Sequence, residues 1–301
     1  MGSNEYLNHD EAILPGRSGK PFSVSQVIGT PNENPPSSTG EVETKVTAMS
    51  DDAAGIFRKL AQHPNKDVRE IACRALSWQA SGIGSLALPS KIEALYPMAF
   101  ERLALYLQGL AGGYPSDHQH KDWVFVTGES VPVTRSHSVD LSSRIGYRAS
   151  FYLIAAQPRW RYARDLFRGQ QVGPWLRVHT EPRWLEDWNE AGWDEVYHQC
   201  ARLLRSRPRL LGLAATAWFY DPQLAGISAH LCYCRERLLE RGAVILRVGT
   251  SDFDIASATA RSPTRRKLYE SGRYVPVAYT LLWPRERLLR WDDAVNTRTG
   301  N

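Results

Sequence analysis

The sequence has little lysine, few cysteines and no long apolar run. Only seven of its 37 basic residues are lysines, so arginine carries most of the charge, and the formal net charge is +5. No apolar run approaches the roughly 18 residues that span a bilayer. The N-terminus lacks the basic start and the apolar core of a secretion signal. We therefore expect a cytoplasmic protein with no membrane partner.

The four cysteines exclude the common paired-thiol motifs. Cys73, Cys200, Cys232 and Cys234 form no CxxC pair. Cys232 and Cys234 are two positions apart on a predicted helix, so their side chains point about 200° apart and cannot readily hold one ion together. We expect all four to be reduced thiols.

Composition and periodicity divide the chain into four segments. Residues 1–46 are rich in Pro, Ser, Gly and Asn and predict a flexible N-terminal arm. Residues 47–115 predict a helical portion, with helices in SDDAAGIFRKLAQ, KDVREIACRALSWQA and SKIEALYPMAFERLALYLQGL. Residues 116–294 predict an α/β domain, and residues 295–301 a disordered tail.

The α/β domain is predicted from alternating strand-like and helix-like segments. The predicted strands are WVFVTG, RASFYLIAA, WLRVHTEPRW, RLLGLAATAWFY, AVILRVG and VPVAYTLLWP, and the predicted helices are DWNEAGWDEVYHQCARLLRS, ISAHLCYCRERLLERG and the stretch from DIASATA to KLYESG. This alternation indicates an α/β fold with a mixed, partly parallel central sheet flanked by helices, beside the helical N-terminal portion.

The turn DPQLAG lies between a strand ending near Tyr220 and a helix starting around Ile227 or Ser228. Free N–H groups and the dipole at a helix N-terminus favour an anion. The sequence therefore predicts that the amides from Leu224 to Ser228 face an anion such as a pyrophosphate.

The spacing Gln223-x-x-Gly226-x-Ser228 resembles the Gln/Arg-x-x-Gly-x-Gly/Ala signature of the GNAT superfamily of N-acetyltransferases. The sequence departs at Ser228, where the family has Gly or Ala. The resemblance covers about residues 209–284. It implies that the turn holds the pyrophosphate of coenzyme A through Gln223, Leu224, Ala225, Gly226, Ile227 and Ser228.

A second stretch, from Arg266 to Tyr274, resembles the family's A..LYEK.GF segment, which implies that Tyr269 is a general acid near the thioester sulphur. The resemblance implies transfer of an acyl group from acyl-coenzyme A to an amine of a small molecule or peptide. Glu181 and His179 are the candidate bases. The pantetheine arm would enter where the strands before Tyr220 and after Gly242 splay apart. The long helix before RLLGLAATAWFY departs from the family's order.

Two arginine-rich stretches, RLLRSRPR and RSPTRR, could contact phosphates. In the second, Arg265 and Arg266 are candidates to face the 3′-phosphate of coenzyme A. We expect no nucleic-acid binding, because the sequence has no RNA-binding signature and no basic tail. A non-catalytic binding module with an arginine-lined pocket is one alternative function.

A metal-dependent enzyme is the other alternative. Asp117, His118 and His120, with Asp122 nearby, offer metal ligands within a few residues, and His137 or His179 could supply a third imidazole. His118 and His120 would share a face if this segment were a strand. The acyl group, the acceptor and the oligomeric state stay open at this point.

Overall fold

The computed structural model describes residues 48–81, 86–110, 114–156, 163–164, 167–168 and 171–299. The arm predicted for residues 1–46 lies outside this part. The helices are α1 (Asp51–Leu60), α2 (Lys66–Ser81), α3 (Ser90–Glu93), α4 (Tyr96–Gln108), α5 (Ser116–Val126), α6 (Tyr147–Ala156), α7 (Glu190–Ser206), α8 (Leu224–Ile227), α9 (Tyr233–Glu240), α10 (Asp252–Ala260), α11 (Pro263–Glu270) and α12 (Arg285–Thr299). The strands are β1 (Ser130–Pro132), β2 (His137–Ser143), β3 (Trp175–Thr180), β4 (Gly212–Ala217), β5 (Val244–Gly249) and β6 (Ala278–Pro284).

Side-chain caps fix where several helices begin. Ser50 Oγ accepts an N–H of α1 at 3.2 Å, and Asn189 Oδ1 accepts one of α7 at 2.9 Å. Ser262 caps α11 in the same way, with Pro263 as the first helical residue. Because proline cannot donate an N–H and fits the first turn of a helix, the single helix predicted from DIASATA to KLYESG is two helices.

The six strands form one mixed sheet in the order β1-β2-β3-β4-β6-β5. The only parallel neighbours in this described sheet are β3 and β4, and the other four pairs are antiparallel. Helix α7 makes the crossover that a parallel pair requires. The predicted α/β fold with a mixed, partly parallel sheet and a helical N-terminal portion is confirmed.

Two segments predicted as strands are helices. WVFVTG lies at the end of α5, and RASFYLIAA forms most of α6. Phe125 packs against Tyr96 and Phe100, with ring centroids 5.8 and 4.9 Å away, and Ala149 and Leu153 are both buried. A four-residue spacing of buried positions belongs to a helix face, whereas a short apolar run is compatible with both structures.

Other boundaries also differ from the prediction. The third predicted helix is interrupted before Pro97, giving α3 and α4. The helix predicted over ISAHLCYCRERLLERG leaves helical geometry at Ser228 and resumes as α9. Helix α12 continues to Thr299, so residues 295–299 are helical where a disordered tail was predicted. Among the described helices, none has both the length and the apolar character needed to span a bilayer.

The sheet is buried on both faces, but unequally. The larger core includes Leu176, Val178 and Leu213 on one face, together with residues of α1, α2, α4 and α7. The smaller core lies on the other face, beneath α6, and consists of Ile145, Ala149, Leu153, Val172, Trp175, Leu211, Ala214 and Leu282. One part of this second face is therefore covered by a single short helix.

A buried cation joins the helical portion to the end of β3. Arg183 donates two hydrogen bonds to Asp122 on α5, at 2.9 and 2.6 Å, and two to Glu181, at 2.9 and 2.8 Å. The guanidinium carbon lies 4.5 Å from the ring centroid of Tyr106 and 4.7 Å from that of Trp184. We call these five residues the Arg183 cluster. Paired charges and stacking satisfy a guanidinium whose side chain is only 10% exposed.

Replacing Arg183 by alanine should lower the free energy of unfolding by about 3–5 kcal/mol, because it leaves the carboxylates of Asp122 and Glu181, which are only 5% and 16% exposed, without their cation. Chemical denaturation measures the loss. Arg273→Ala, at an exposed arginine, is the control and should change stability by less than about 0.5 kcal/mol. Equal stability of the two variants would contradict a structural role for the cluster.

Candidate functional site

His179 lies on β3 and faces the less covered side of the sheet. As the alternation in the sequence predicted, Leu176 and Val178 enter the larger core, while Trp175 enters the smaller one. His179 lies on the same face as Trp175 and Arg177, because side chains in a strand alternate. About a third of its side chain, 34%, is exposed.

Asp140 on β2 holds the ring of His179. The distance between His179 Nε2 and Asp140 Oδ2 is 2.7 Å. Burial alone would raise the pKa of Asp140, but the hydrogen bond and charge of His179, together with hydrogen bonds from Ser130 and Ser143, hold this pKa below its usual value. An ionised carboxylate can only accept, so Nε2 donates this hydrogen bond, and Nδ1 is the nitrogen that can accept a proton when the ring is neutral. The pair has the arrangement of an oriented general base.

Asp140 is not among the site residues predicted from the sequence. Its signal was the period-two pattern of HSVDLSS, in which Val139 is buried and Asp140 points to the opposite face. Asp140 is opposite Arg177 in the register of β2 and β3, so it lies diagonally across from His179. The two residues are 39 positions apart in the chain, and only the pairing of β2 with β3 makes their side chains neighbours.

The backbone pairing of β3 with β4 ends beside His179 and Asp140. Their register joins Leu176 to Leu213 and Arg177 to Ala214, and no later residues of the two strands pair with each other. Each strand nevertheless continues, β3 along β2 as far as Thr180 and β4 along β6 as far as Ala217. We call the place where 178–180 of β3 and 215–217 of β4 have no pairing with each other the β3–β4 cleft.

Hydroxyl groups lie on the other side of the β3–β4 cleft. Thr216 and Thr280 are opposite each other on β4 and β6, and their Oγ1 atoms are 2.8 Å apart. Thr216 is exposed. The register places Thr216 on the same face as Ala214, which shares its face with His179. The β3–β4 cleft therefore lies between the His179–Asp140 pair and these two hydroxyls.

The gap predicted between the strands before Tyr220 and after Gly242 does not exist. These strands are β4 and β5, and β6 lies between them, paired with both. The register of β4 with β6 is continuous from Gly212 to Ala217, so no opening remains. Strands that follow each other in a βαβ pattern need not be neighbours when a later strand inserts between them.

The 223–228 turn uses most of its amides internally. The N–H groups of Leu224, Ala225, Gly226 and Ser228 donate to backbone carbonyls of the same turn at 2.8–3.2 Å. Asp221 Oδ1 accepts the N–H of Gln223 at 3.0 Å. The free N–H groups predicted here are therefore not present at these residues. Ile227 ends the single helical turn α8.

The side chain of Ser228 is also engaged. Arg265 donates to Ser228 Oγ at 2.9 Å and to the carbonyl of Ala258 at 2.7 Å. Arg265 is buried and its guanidinium lies 4.6 Å from the ring centroid of Trp218. Burial lowers the pKa of Arg265. The Ser departure from the family signature thus has a structural reason, because its hydroxyl accepts from a buried cation.

The two remaining predicted residues lie on α11. Arg266 donates to the carbonyls of Thr259 and Ala260 at 3.4 and 3.1 Å, so it caps the end of α10. Tyr269 is half-buried on a helix that packs against α10. Neither role predicted for these residues is tested by these contacts.

Glu181 belongs to the Arg183 cluster. Burial alone would raise the pKa of Glu181, but the hydrogen bonds and charge of Arg183 hold this pKa below its usual value. Both of its carboxylate oxygens accept from the guanidinium. A carboxylate held in this way is a poor proton acceptor, so His179 is the better placed of the two candidate bases.

The histidines of the predicted metal segment point in different directions. The segment lies on α5, a helix rather than a strand. His118 Nδ1 is 2.6 Å from the hydroxyl of Tyr106, His120 faces α2, and Asp122 binds Arg183. His137 is buried against Trp193, and its pKa falls to about 3 because of burial. Among the described residues, no three His, Cys, Asp or Glu side chains are placed so that they could hold one metal ion together.

Arginines of the RLLRSRPR stretch pair with the chain itself. Arg205 binds Asp292 and Asp293 on α12, both at 2.5 Å, and Arg207 donates to the carbonyl of Leu86 at 2.7 Å. Arg202 Nη1 lies 3.7 Å from Glu195 Oε1. Arg205 thus connects α7 to α12, Arg202 pairs within α7, and Arg207 binds a backbone carbonyl.

No family model, no curated protein and no solved structure matches this chain.

Two glycines test whether the 223–228 turn binds coenzyme A. A methyl group added at Gly226 meets no atom within 4 Å, whereas one added at Gly192 lies 1.9 Å from the carbonyl oxygen of Asp187. Gly226→Ala should therefore keep the melting temperature and any affinity for coenzyme A. Gly192→Ala should lose roughly 1–3 kcal/mol of stability. Loss of coenzyme A binding in Gly226→Ala alone would restore the turn as the phosphate site.

Glu181 should make stability depend on pH. Its folded pKa lies below its unfolded value of about 4.3, so its contribution is present at neutral pH and is lost as the pH falls below that value. The stability difference between the native protein and Glu181→Gln should narrow between pH 7 and pH 3. Denaturant titrations measure it, with the exposed Glu240→Gln for comparison. A constant difference would contradict the assignment.

Proposed function

We propose that this protein is an acyl-coenzyme A-dependent N-acyltransferase that acts on an amine of a small molecule or peptide. The observation that carries the proposal is the β3–β4 cleft with the His179–Asp140 pair beside it. The resemblance to the GNAT superfamily in residues 209–284 supports the same reaction class. The proposed site differs from the one that the resemblance implied, since it lies between β3 and β4.

The β3–β4 cleft suits the pantetheine arm of an acyl-coenzyme A. Two strands that separate expose backbone N–H and C=O groups along their facing edges, and these groups require partners. Pantetheine is an extended chain with two amide groups, so it can bind between strand edges as an added peptide strand does. The acyl group would then lie on the open face near His179 and Thr216.

The chemistry proposed for this site needs one base. His179 Nδ1 takes a proton from the attacking amine while the amine nitrogen bonds to the thioester carbonyl carbon. The carbon–sulphur bond breaks, and the thiolate of coenzyme A leaves with the bonding electrons. Asp140 orients the ring and stabilises the imidazolium that forms. Tyr269 as the acid that protonates the thiolate stays a prediction.

Contacts to the phosphate end stay predictions as well. The side chains of the turn from Gln223 to Ser228 remain candidates, although most of its amides are used. Arg266 can reach a 3′-phosphate only by leaving the carbonyls of Thr259 and Ala260. The proposal includes the cytoplasmic location expected from the sequence, which is consistent with four cysteines that are all free thiols.

Binding is the first test. Calorimetric titration with coenzyme A, acetyl-coenzyme A and octanoyl-coenzyme A should give saturable binding, and each bound ligand should raise the melting temperature. Thr216→Trp should weaken binding by filling the open face, whereas Thr297→Trp, at an exposed position of α12, should not. Absence of binding, together with loss of stability in EDTA, would replace the proposal with a metal-dependent enzyme.

Catalysis tests the pair itself. His179→Gln should reduce acyl transfer by roughly 100- to 10,000-fold, because the base is lost, while coenzyme A affinity changes little. Release of the thiol across a panel of primary amines and peptides measures turnover. Asp140→Asn should also reduce turnover, and Asp140→Glu, which keeps a carboxylate, should lose less. Full turnover in His179→Gln would contradict the proposal.

A further inference from the structure

A groove between α2 and α5 lies apart from the β3–β4 cleft. Its volume is about 300 Å³, at the lower end of the range for small-molecule sites. One wall comes from a single face of α2, with Asp67, Glu70 and Ile71 at helical spacing. The other wall comes from one face of α5, with Ser116, Gln119, His120 and Trp123, also at helical spacing.

The opposite face of α5 is already occupied. His118 contacts Tyr106, and Asp122 binds Arg183 in the Arg183 cluster. The groove residues therefore point away from these two contacts. Their side chains are available without disturbing those contacts.

The groove combines negative charge with an aromatic surface. The carboxylates of Asp67 and Glu70 lie one helical turn apart on α2, and Ile71 closes the floor with 1% exposure. The indole of Trp123 is 41% exposed. The groove is acidic although the whole chain carries a formal charge of +5. Carboxylates and an exposed indole together favour a cation with an apolar stem.

The chain itself shows that this rim accepts an ammonium group. Lys66 Nζ lies 3.5 Å from Glu70 Oε1, and both side chains are well exposed, at 73% and 49%. An exposed pair of this kind contributes little free energy. Another ammonium group can therefore displace Lys66 from Glu70 at small cost.

We propose that the groove between α2 and α5 binds an alkylammonium or guanidinium group on an aliphatic stem, as in a lysine or arginine side chain of a peptide or in a polyamine. The cation lies between the carboxylates of Asp67 and Glu70, and the stem packs along the ring of Trp123. This site does not depend on acyl transfer, and a failure to bind acyl-coenzyme A leaves it unaffected.

The test uses ligands that differ in one charge. The full-length protein is titrated by calorimetry with lysine blocked as its Nα-acetyl amide, with the same compound acetylated at Nε, and with spermidine. The charged lysine and spermidine should bind, and the Nε-acetylated form should not. Tighter binding of spermidine assigns a polyamine, and tighter binding of the blocked lysine assigns a basic peptide. Equal binding of both lysine compounds would overturn the proposal.

Variants of opposite effect make the test sharper. Asp67→Asn with Glu70→Gln should weaken binding about tenfold, and Trp123→Leu should weaken it about threefold. Lys66→Gln removes the competing ammonium and should tighten binding about twofold. Glu236→Gln with Glu240→Gln changes the net charge equally on α9 and should have no effect. Unchanged affinity in the Asp67/Glu70 variant, with helical content confirmed by circular dichroism, would overturn the site.

Discussion

The position of the end of β3 depends on the Arg183 cluster. The chain leaves the strand at Thr180, and three residues later a guanidinium is fixed to α5 by Asp122. Lys121 adds a contact of 3.4 Å to the carbonyl of Thr180. A buried cation of this kind must keep its partners. These contacts hold the end of β3 against the helical portion, and pairing with β4 is lost over the same residues.

Pairing of β3 with β2 fixes the residues of the proposed site. The register with β2 continues to His137 and Thr180, so Asp140 and His179 are both fixed on paired strands. Sites on paired strands are positioned more accurately than sites on loops. One strand therefore combines an edge that pairs with β2 from Arg177 to Thr180, which orients His179, with an edge that has no pairing to β4 beyond Arg177.

The sequence predicted the elements whose periodicity was long or clean. WLRVHT alternates with period two, and the segment of α7 has apolar residues at helical spacing, so both were predicted correctly. WVFVTG and RASFYLIAA were too short to distinguish a strand from a helix. His179 was found because it ends a clear strand, whereas Asp140 depends on strand pairing. The turn at Gly226 matched the Gln/Arg-x-x-Gly-x-Gly/Ala signature. The signature did not predict which N–H groups are free, because that depends on the hydrogen bonds within the turn.

The place of β6 in the sheet has a consequence for the order of folding. Strand β6 follows β5 along the chain, yet it fills the position between β4 and β5 and pairs with both. During synthesis, β4 and β5 leave the ribosome with unpaired edges that face each other across an empty position. They cannot complete the sheet until residue 284 has been made, and exposed strand edges invite pairing with other chains in that interval. The half of the sheet that carries Thr216 and Thr280 can therefore complete its pairing only when β6 is available.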